Sequence, residues 1–344
     1  MKRLTSLALP LIFTAGLLVY ALWGVDLASL GATLVRVELW VIPPFLLLLA
    51  IFFISNAKRW ATILGPFGRY SIRQVTPAMM IGFAGNNVLP LRIGELIRAL
   101  IFAKEVGLSR SGVLMTLVAE RALDLVGILL VFAIGVILIG EVPVGLTYGL
   151  IIALAGVGAL MGALVLFARY PRVPLGLWAR LSPRLPGPIA ERGGHYLAEL
   201  ARGVAALGRL QTTLLLLLQS LLRWLIAAIL VWLSLAGYGV EITPGLAMLV
   251  VGITAVAVSL PSVPGFVGPI QAAFVFALTP FGIPQEIALA ASILFLIGHW
   301  LPITLIGAGF FISRHYSLRQ LRREAEAPEE RGALGERSKA KGVG

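Results

Sequence analysis

Apolar positions in this chain fall into long unbroken runs rather than the alternating or one-faced patterns of soluble strands and helices. Runs of about twenty residues, the length that crosses hydrocarbon, recur at 4–23, 40–62, 111–140, 144–168, 213–236 and 286–313. Each is expected to form a transmembrane helix. The first follows Met1-Lys2-Arg3, as a signal peptide would. Its apolar stretch is long and leads into no small-residue cleavage site, so it reads as a retained anchor. Residues 26–39 are semi-polar and predict a short interfacial helix.

Two further apolar stretches, 72–103 and 245–281, are interrupted near their middles by GNNVLPLRIGE and SLPSVPGFVGP. At 1.5 Å per residue the halves are too short to cross a hydrocarbon core of ~30 Å. Each stretch therefore predicts a re-entrant hairpin of two half-helices, with its irregular backbone buried in protein. The fold class is an all-α polytopic membrane protein with about six transmembrane helices and two broken-helix hairpins.

Composition agrees and removes other classes. Hydrophobic residues make up 59%, charged residues 13%, and the mean hydropathy is +0.96, so a soluble globular domain is excluded. The absence of cysteine excludes disulfides, thiol catalysis and cysteine-ligated metals. A net charge of +12 would suit nucleic acid on a soluble fold, but here it points to orientation and to anionic lipid headgroups. With the N-terminus inside, Arg92, Arg98, Arg121 and Arg223 fall within the membrane and Arg36 outside. The rest of the 28 Lys and Arg lie on the cytoplasmic side. The expected location is the inner (plasma) membrane, with both termini cytoplasmic. Loop 169–212 carries an amphipathic rhythm over 189–209 suited to lying on the inner leaflet. Residues 317–344 read as a disordered cytoplasmic tail.

This topology divides the chain into a first membrane repeat (1–140), with a hairpin entering from the cytoplasm, and a second (141–316), with a hairpin entering from outside. The halves are inverted. Weak echoes in the same order support a duplication: Val75-Thr76-Pro77 with Ile242-Thr243-Pro244, and Leu89-Pro90 with Leu260-Pro261. Paired broken helices in inverted repeats point to a transport site near mid-membrane.

The candidate chemistry lies at those breaks. The first hairpin gathers Asn86, Asn87, Arg92, Glu95 and Arg98, with Arg92–Glu95 and Glu95–Arg98 spaced for i, i+3 pairs. A half-helix N-terminus beside two arginines suits an anion, and the guanidinium fork suits phosphate. The same residues also suit an internally neutralised scaffold. The next span carries Glu120, Arg121 and Asp124, fit for a proton or cation relay or for structural pairing with Arg223 and Arg98. The uncharged second hairpin offers Gly265 and Gly268, whose backbone N–H groups can cradle an oxygen, and Gln271 as the nearest polar side chain. An architectural turn is the alternative there. His299 is expected to be a packing residue. No zinc-protease, serine-hydrolase, P-loop or dinucleotide motif occurs, so neither a cofactor nor a metal is implied.

The run Asn87-x-x-Pro90-x-Arg92-x-Gly94-Glu95-x-x-Arg98, then Glu120-Arg121-x-x-Asp124, then Pro261-x-x-Pro264-Gly265-x-x-Gly268, resembles the lysylphosphatidylglycerol synthase transmembrane-region family, or flippase-like domain family. The resemblance covers roughly residues 5–315. It implies kinship with the membrane half of aminoacyl-phosphatidylglycerol synthases, which translocates the modified lipid, and with membrane parts of lipid-linked glycosyltransferases. A stand-alone member without the aminoacyl-transferase domain is expected. Family members often carry an acidic residue shortly after the Pro-Gly-x-x-Gly turn, where this chain has Gln271.

The expected function is a flippase or transporter, not an enzyme, moving an anionic or phosphate-bearing lipid between leaflets. A phospholipid and a polyprenyl-phosphate-linked sugar both fit. The alternatives are a membrane-embedded transferase acting on a lipid-linked substrate and a cation-coupled carrier of a small anion. The expected partners are membrane lipids with anionic headgroups and no nucleic acid. A homo-oligomer stays open, with Gly158/Gly162 at the small-residue packing spacing.

Overall fold

Helix after helix follows from the apolar runs, because a backbone removed from water must satisfy its own hydrogen bonds. The computed structural model describes residues 2–89, 93–140, 144–260 and 262–317. In chain order its helices are α1 (Lys2–Leu22), α2 (Leu27–Leu34), α3 (Ile42–Ile63), α4 (Ile72–Val88), α5 (Gly94–Val106), α6 (Arg110–Ile139), α7 (Val144–Arg169), α8 (Arg172–Leu181), α9 (Gly187–Val204), α10 (Leu210–Ala236), α11 (Pro244–Ser259), α12 (Pro269–Leu278) and α13 (Gln285–Ser313). Of the six expected spans, α3, α6, α7, α10 and α13 are long and apolar enough to cross a membrane, and Pro10–Leu22 of the first, α1, is so only together with α2. The predicted interfacial helix is α2, which turns 86° from α1 and is capped by Asp26, whose carboxylate accepts from the Ala28 and Ser29 N–H groups.

Both broken stretches form helix pairs. Helices α4 and α5 approach each other through glycine. Gly82 and Gly85 of α4 lie against Gly94 and Arg98 of α5, and a side-chain carbon on Gly94 would overlap the Gly82 carbonyl oxygen. Helices α11 and α12 also pack on each other. The 264–281 segment is apolar and long enough to span if straight, but positive φ at Gly265 (84°) and Gly268 (94°) leaves α12 with ten residues, about 15 Å of helix.

Packing between the halves is reciprocal. The hairpin helix α4 lies on α13, and the hairpin helix α11 lies on α6. Small residues permit both approaches: Gly307 meets Met80 and Ala84, while Gly135 and Gly245 meet each other's backbone. Helices α3 and α10 also pack against each other. Large apolar side chains stay exposed around the outside, among them Ile51, Leu138, Ile152, Leu218 and Leu305, as a surface facing acyl chains requires.

Loop 169–212 differs from expectation. Helix α9 turns the C-terminal half of its apolar face, with Val204, into the protein rather than onto a leaflet. It packs on α6 because Gly203 admits Met115 and because the buried Glu199 accepts a hydrogen bond from Ser109 Oγ at 3.1 Å. Ile189 and Tyr196, nearer its start, remain exposed. The predicted disordered tail falls almost wholly at 318–344, outside the described residues, as do Pro90, Arg92 and Pro261.

Candidate functional site

Helix α6 presents Glu120, Arg121 and Asp124 on neighbouring turns, and three helices answer them with cations. Arg59 Nη1 of α3 lies 2.6 Å from Asp124 Oδ1 and 3.0 Å from Ser220 Oγ, while its Nη2 lies 3.4 Å from Glu120 Oε1. Arg98 of α5 pairs with Glu120, and Arg223 of α10 pairs with Asp124. Among the described residues the cluster holds Arg59, Arg98, Arg121 and Arg223 against Glu95, Glu120 and Asp124. One positive charge is left over. Aromatic faces take up part of the cationic field: the Arg98 guanidinium sits 4.1 Å from the Trp60 ring centroid, and that of Arg223 sits 4.5 Å from Trp224. Trp60 and Trp224 are fixed in turn by donating to Thr116 Oγ1 (3.2 Å) and to the Asp124 carbonyl (3.1 Å).

Two pairings differ from the sequence expectation. Arg59 is 1% exposed at the centre of the cluster, not a cytoplasmic charge at the end of a span. Helix α3 continues to Ile63 and carries Asn56 and Arg59, one turn apart, toward α6 and α10. A basic residue near the end of an apolar run reads as a loop charge. The continuing period of Asn56, Arg59, Trp60 and Ile63 is the signal that marks it as inward-facing. Arg98, in turn, reaches Glu120 across to α6, and Glu95 reaches Arg121 at 3.7 Å. The two do not pair along α5, because Arg98 points toward Trp60 and Glu95 toward a cavity.

That cavity has a volume of about 310 Å³ and is lined by α3, α4, α5, α6, α10, α11, α12, α13 and the turn before α12. Its charged lining is Glu95, Glu120, Arg121 and Arg223, joined by neutral polar side chains such as Asn56 and Asn86, and most of the remaining wall is aromatic or aliphatic, including Phe52, Phe83, Phe266 and Trp300. The cations differ sharply in access. The side chains of Arg59, Arg98 and Arg223 are 1%, 2% and 11% exposed, against 43% for Arg121. Asn86 and Thr254 line the cavity, but Asn86 Oδ1 and Thr254 Oγ1 are themselves covered and have no hydrogen-bond partner among the described residues. Groups of this kind ask for a ligand or for water.

The two breaks meet at this cavity. Asn87 donates to Thr304 Oγ1 (3.0 Å) and to the Trp300 carbonyl (3.3 Å), and its own carbonyl accepts from Trp300 Nε1 (3.3 Å). Gly265 lies against the same indole, where its positive φ would strain any other residue. Asn87 and Gly265 therefore join the hairpins to α13. Gly268 and Gln271 sit elsewhere. Gln271 is buried and its Oε1 accepts from the Gly268 N–H at 2.7 Å, capping α12 beside Thr14 of α1. His299 lines the cavity, with Nδ1 3.0 Å from the Phe295 carbonyl.

The fold and site define a helical membrane bundle whose charged cluster borders a cavity walled largely by aromatic and aliphatic side chains. The chain belongs to the lysylphosphatidylglycerol synthase TM region family, whose model matches residues 7–307. That family is a multi-pass membrane domain associated with lipid-related function. No curated protein matches the chain.

Proposed function

We propose that the protein moves an anionic, phosphate-bearing lipid between leaflets, with the headgroup in the cavity against Arg121 and the acyl chains left in hydrocarbon. The observation that carries this reading is the 43% exposure of Arg121 inside an otherwise largely aromatic and aliphatic enclosure. A guanidinium that is open to the cavity is the group suited to a phosphate oxygen pair. The site lies where the two broken-helix pairs meet. The reciprocal packing of α4 on α13 and α11 on α6 supports an inverted-repeat relation between the halves. In this reading the protein resides in the plasma membrane with cytoplasmic termini.

The test is movement of fluorescent phosphatidylglycerol in proteoliposomes, followed by chemical quenching from outside. A polyprenyl-phosphate sugar and free phosphate uptake serve as parallel arms. Loss of protection should be rapid with the protein and should return to the protein-free rate with Arg121→Gln. Accumulation of a modified lipid instead would favour a transferase. Uptake of phosphate without lipid movement would favour a small-anion carrier.

A further inference from the structure

Within the charge cluster one contact is built unlike the rest. Glu120 and Asp124 are each 9% exposed or less and lie within 4 Å of three guanidiniums. The Glu95 side chain is 28% exposed, and among the described residues its ion-pair partner is Arg121, itself the most exposed cation of the group. Their separation of 3.7 Å is the longest of the cluster's ion pairs. Both side chains line the cavity. Any anion that reaches Arg121 thus meets a carboxylate already there, on a different helix.

We infer that Glu95 is the group an incoming anion displaces, and that the displaced carboxylate takes up one proton, so anion and proton enter the cavity together. This rests on the proposed reading of the site. The balance is simple. Before binding, Arg121 faces the Glu95 carboxylate. Afterwards it faces the anion, and Glu95 carries a solvent proton on a carboxyl oxygen. No bond other than O–H forms, and the cluster's charge together with its ligand is unchanged. The proton follows from electrostatics: two anions beside one guanidinium repel, and Glu95, more exposed than Glu120 and Asp124 and 3.7 Å from Arg121, is the carboxylate placed to give way.

The surroundings favour Glu95 for this role over its neighbours. The charged and titratable groups near it are Arg98 on its own helix, Glu120, Arg121 and Asp124 on α6, Arg59 on α3, Arg223 on α10, and His299 on α13. From the C-terminal end of α4 come the neutral amides Asn86 and Asn87. Arg92, between α4 and α5, lies outside the described residues. Glu120 and Asp124 cannot leave without freeing enclosed arginines. His299 is the competing titratable group and is treated as such in the test.

The experiment uses the full chain in nanodiscs, with binding read from the fluorescence of Trp224 and Trp300, which line the cavity. The probes are short-chain phosphatidylglycerol and its deacylated headgroup glycerophosphoglycerol, phosphodiesters that keep a single charge throughout, titrated between about pH 5 and pH 8. One linked proton gives an affinity that rises about tenfold for each unit of pH lowered. The slope should vanish in Glu95→Gln, which should bind at high pH as the wild type does at low pH, and should persist in His299→Gln. Arg121→Gln should bind at no pH. Wild-type protein in weak buffer should take up one proton per anion bound, a measurement that does not depend on any variant folding.

Binding without proton uptake, a slope retained in Glu95→Gln, a slope lost in His299→Gln, or no binding of any probe overturns the inference. Equal, proton-linked binding of glycerophosphoglycerol and phosphatidylglycerol supports the exchange and assigns the site to phosphate esters without need of acyl chains. Proton-linked binding with no lipid movement in proteoliposomes supports the exchange and removes the flippase reading alone. Lipid movement without proton uptake removes the exchange alone.

Discussion

The guanidiniums of the cluster differ in how far they have been taken from water, and what replaces the water decides what the removal of each would do. Arg59 and Arg98 are enclosed and bonded to carboxylates that are themselves enclosed. Breaking a buried pair strands its partner and costs about 3–5 kcal/mol. Arg59→Gln and Arg98→Gln should therefore lower the melting temperature of the purified protein and its folded yield, with activity falling in proportion. Arg121→Gln should behave differently. Its contacts run from 3.3 to 3.7 Å, and the carboxylates it touches on α6 keep other arginines. Stability should change by no more than about 1 kcal/mol, a cost typical of a partly exposed pair, while lipid movement is lost. A large drop in melting temperature with Arg121→Gln would make it scaffold like the others. Gln271 gives a third contrast. Its Oε1 caps the start of α12, so Gln271→Ala should cost about 1 kcal/mol of stability and leave headgroup affinity unchanged. A changed affinity would place Gln271 back among the ligand contacts that the sequence alone proposed.

At the scale of elements, the broken helices depend on close backbone contact more than on charge. A methyl group at Gly94 would drive into the Gly82 carbonyl oxygen and the Asn86 backbone, contacts that cannot yield without separating α4 from α5. Gly94→Ala should cost at least the ~1–3 kcal/mol of ordinary overpacking and should reduce recovery of monodisperse protein. Gly158→Ala on α7 is the matched control, since nothing lies within 4 Å of the added carbon. If both variants elute alike and melt alike, the α4–α5 contact is not what holds the hairpin. The breaks themselves were legible as Gly and Pro clusters inside apolar runs. Which face of α9 is covered was not, because an amphipathic period states that one side is buried and not what buries it. Packing of α6 at Met115 and a hydrogen bond from Ser109 to Glu199 decided that.

For the whole molecule, the proposed inverted relation between halves makes a prediction about sidedness. Lys104, near the end of the first hairpin, and Gly282, just after the second, are both exposed. Single cysteines placed there in the otherwise cysteine-free chain should label from opposite sides of the membrane, and labelling from one side would end the inverted arrangement. Sequence alone determined the class of molecule, the six apolar spans, the two breaks and the family, because hydrocarbon imposes length and apolarity on every segment that crosses it, and these are local properties. It also located most of the charged residues, since a charge within an apolar run stands out wherever the chain then goes. Tertiary structure decided their roles. Pairing depends on which helix faces arrive at one place, so Arg59 came in from the end of α3, Arg98 left Glu95 for Glu120, and Gln271 turned back to cap its own helix. Access to the cavity was decided last, and by packing alone. It left Arg121 and Glu95 open and closed over the remaining arginines, a distinction that no spacing of residues along a chain encodes.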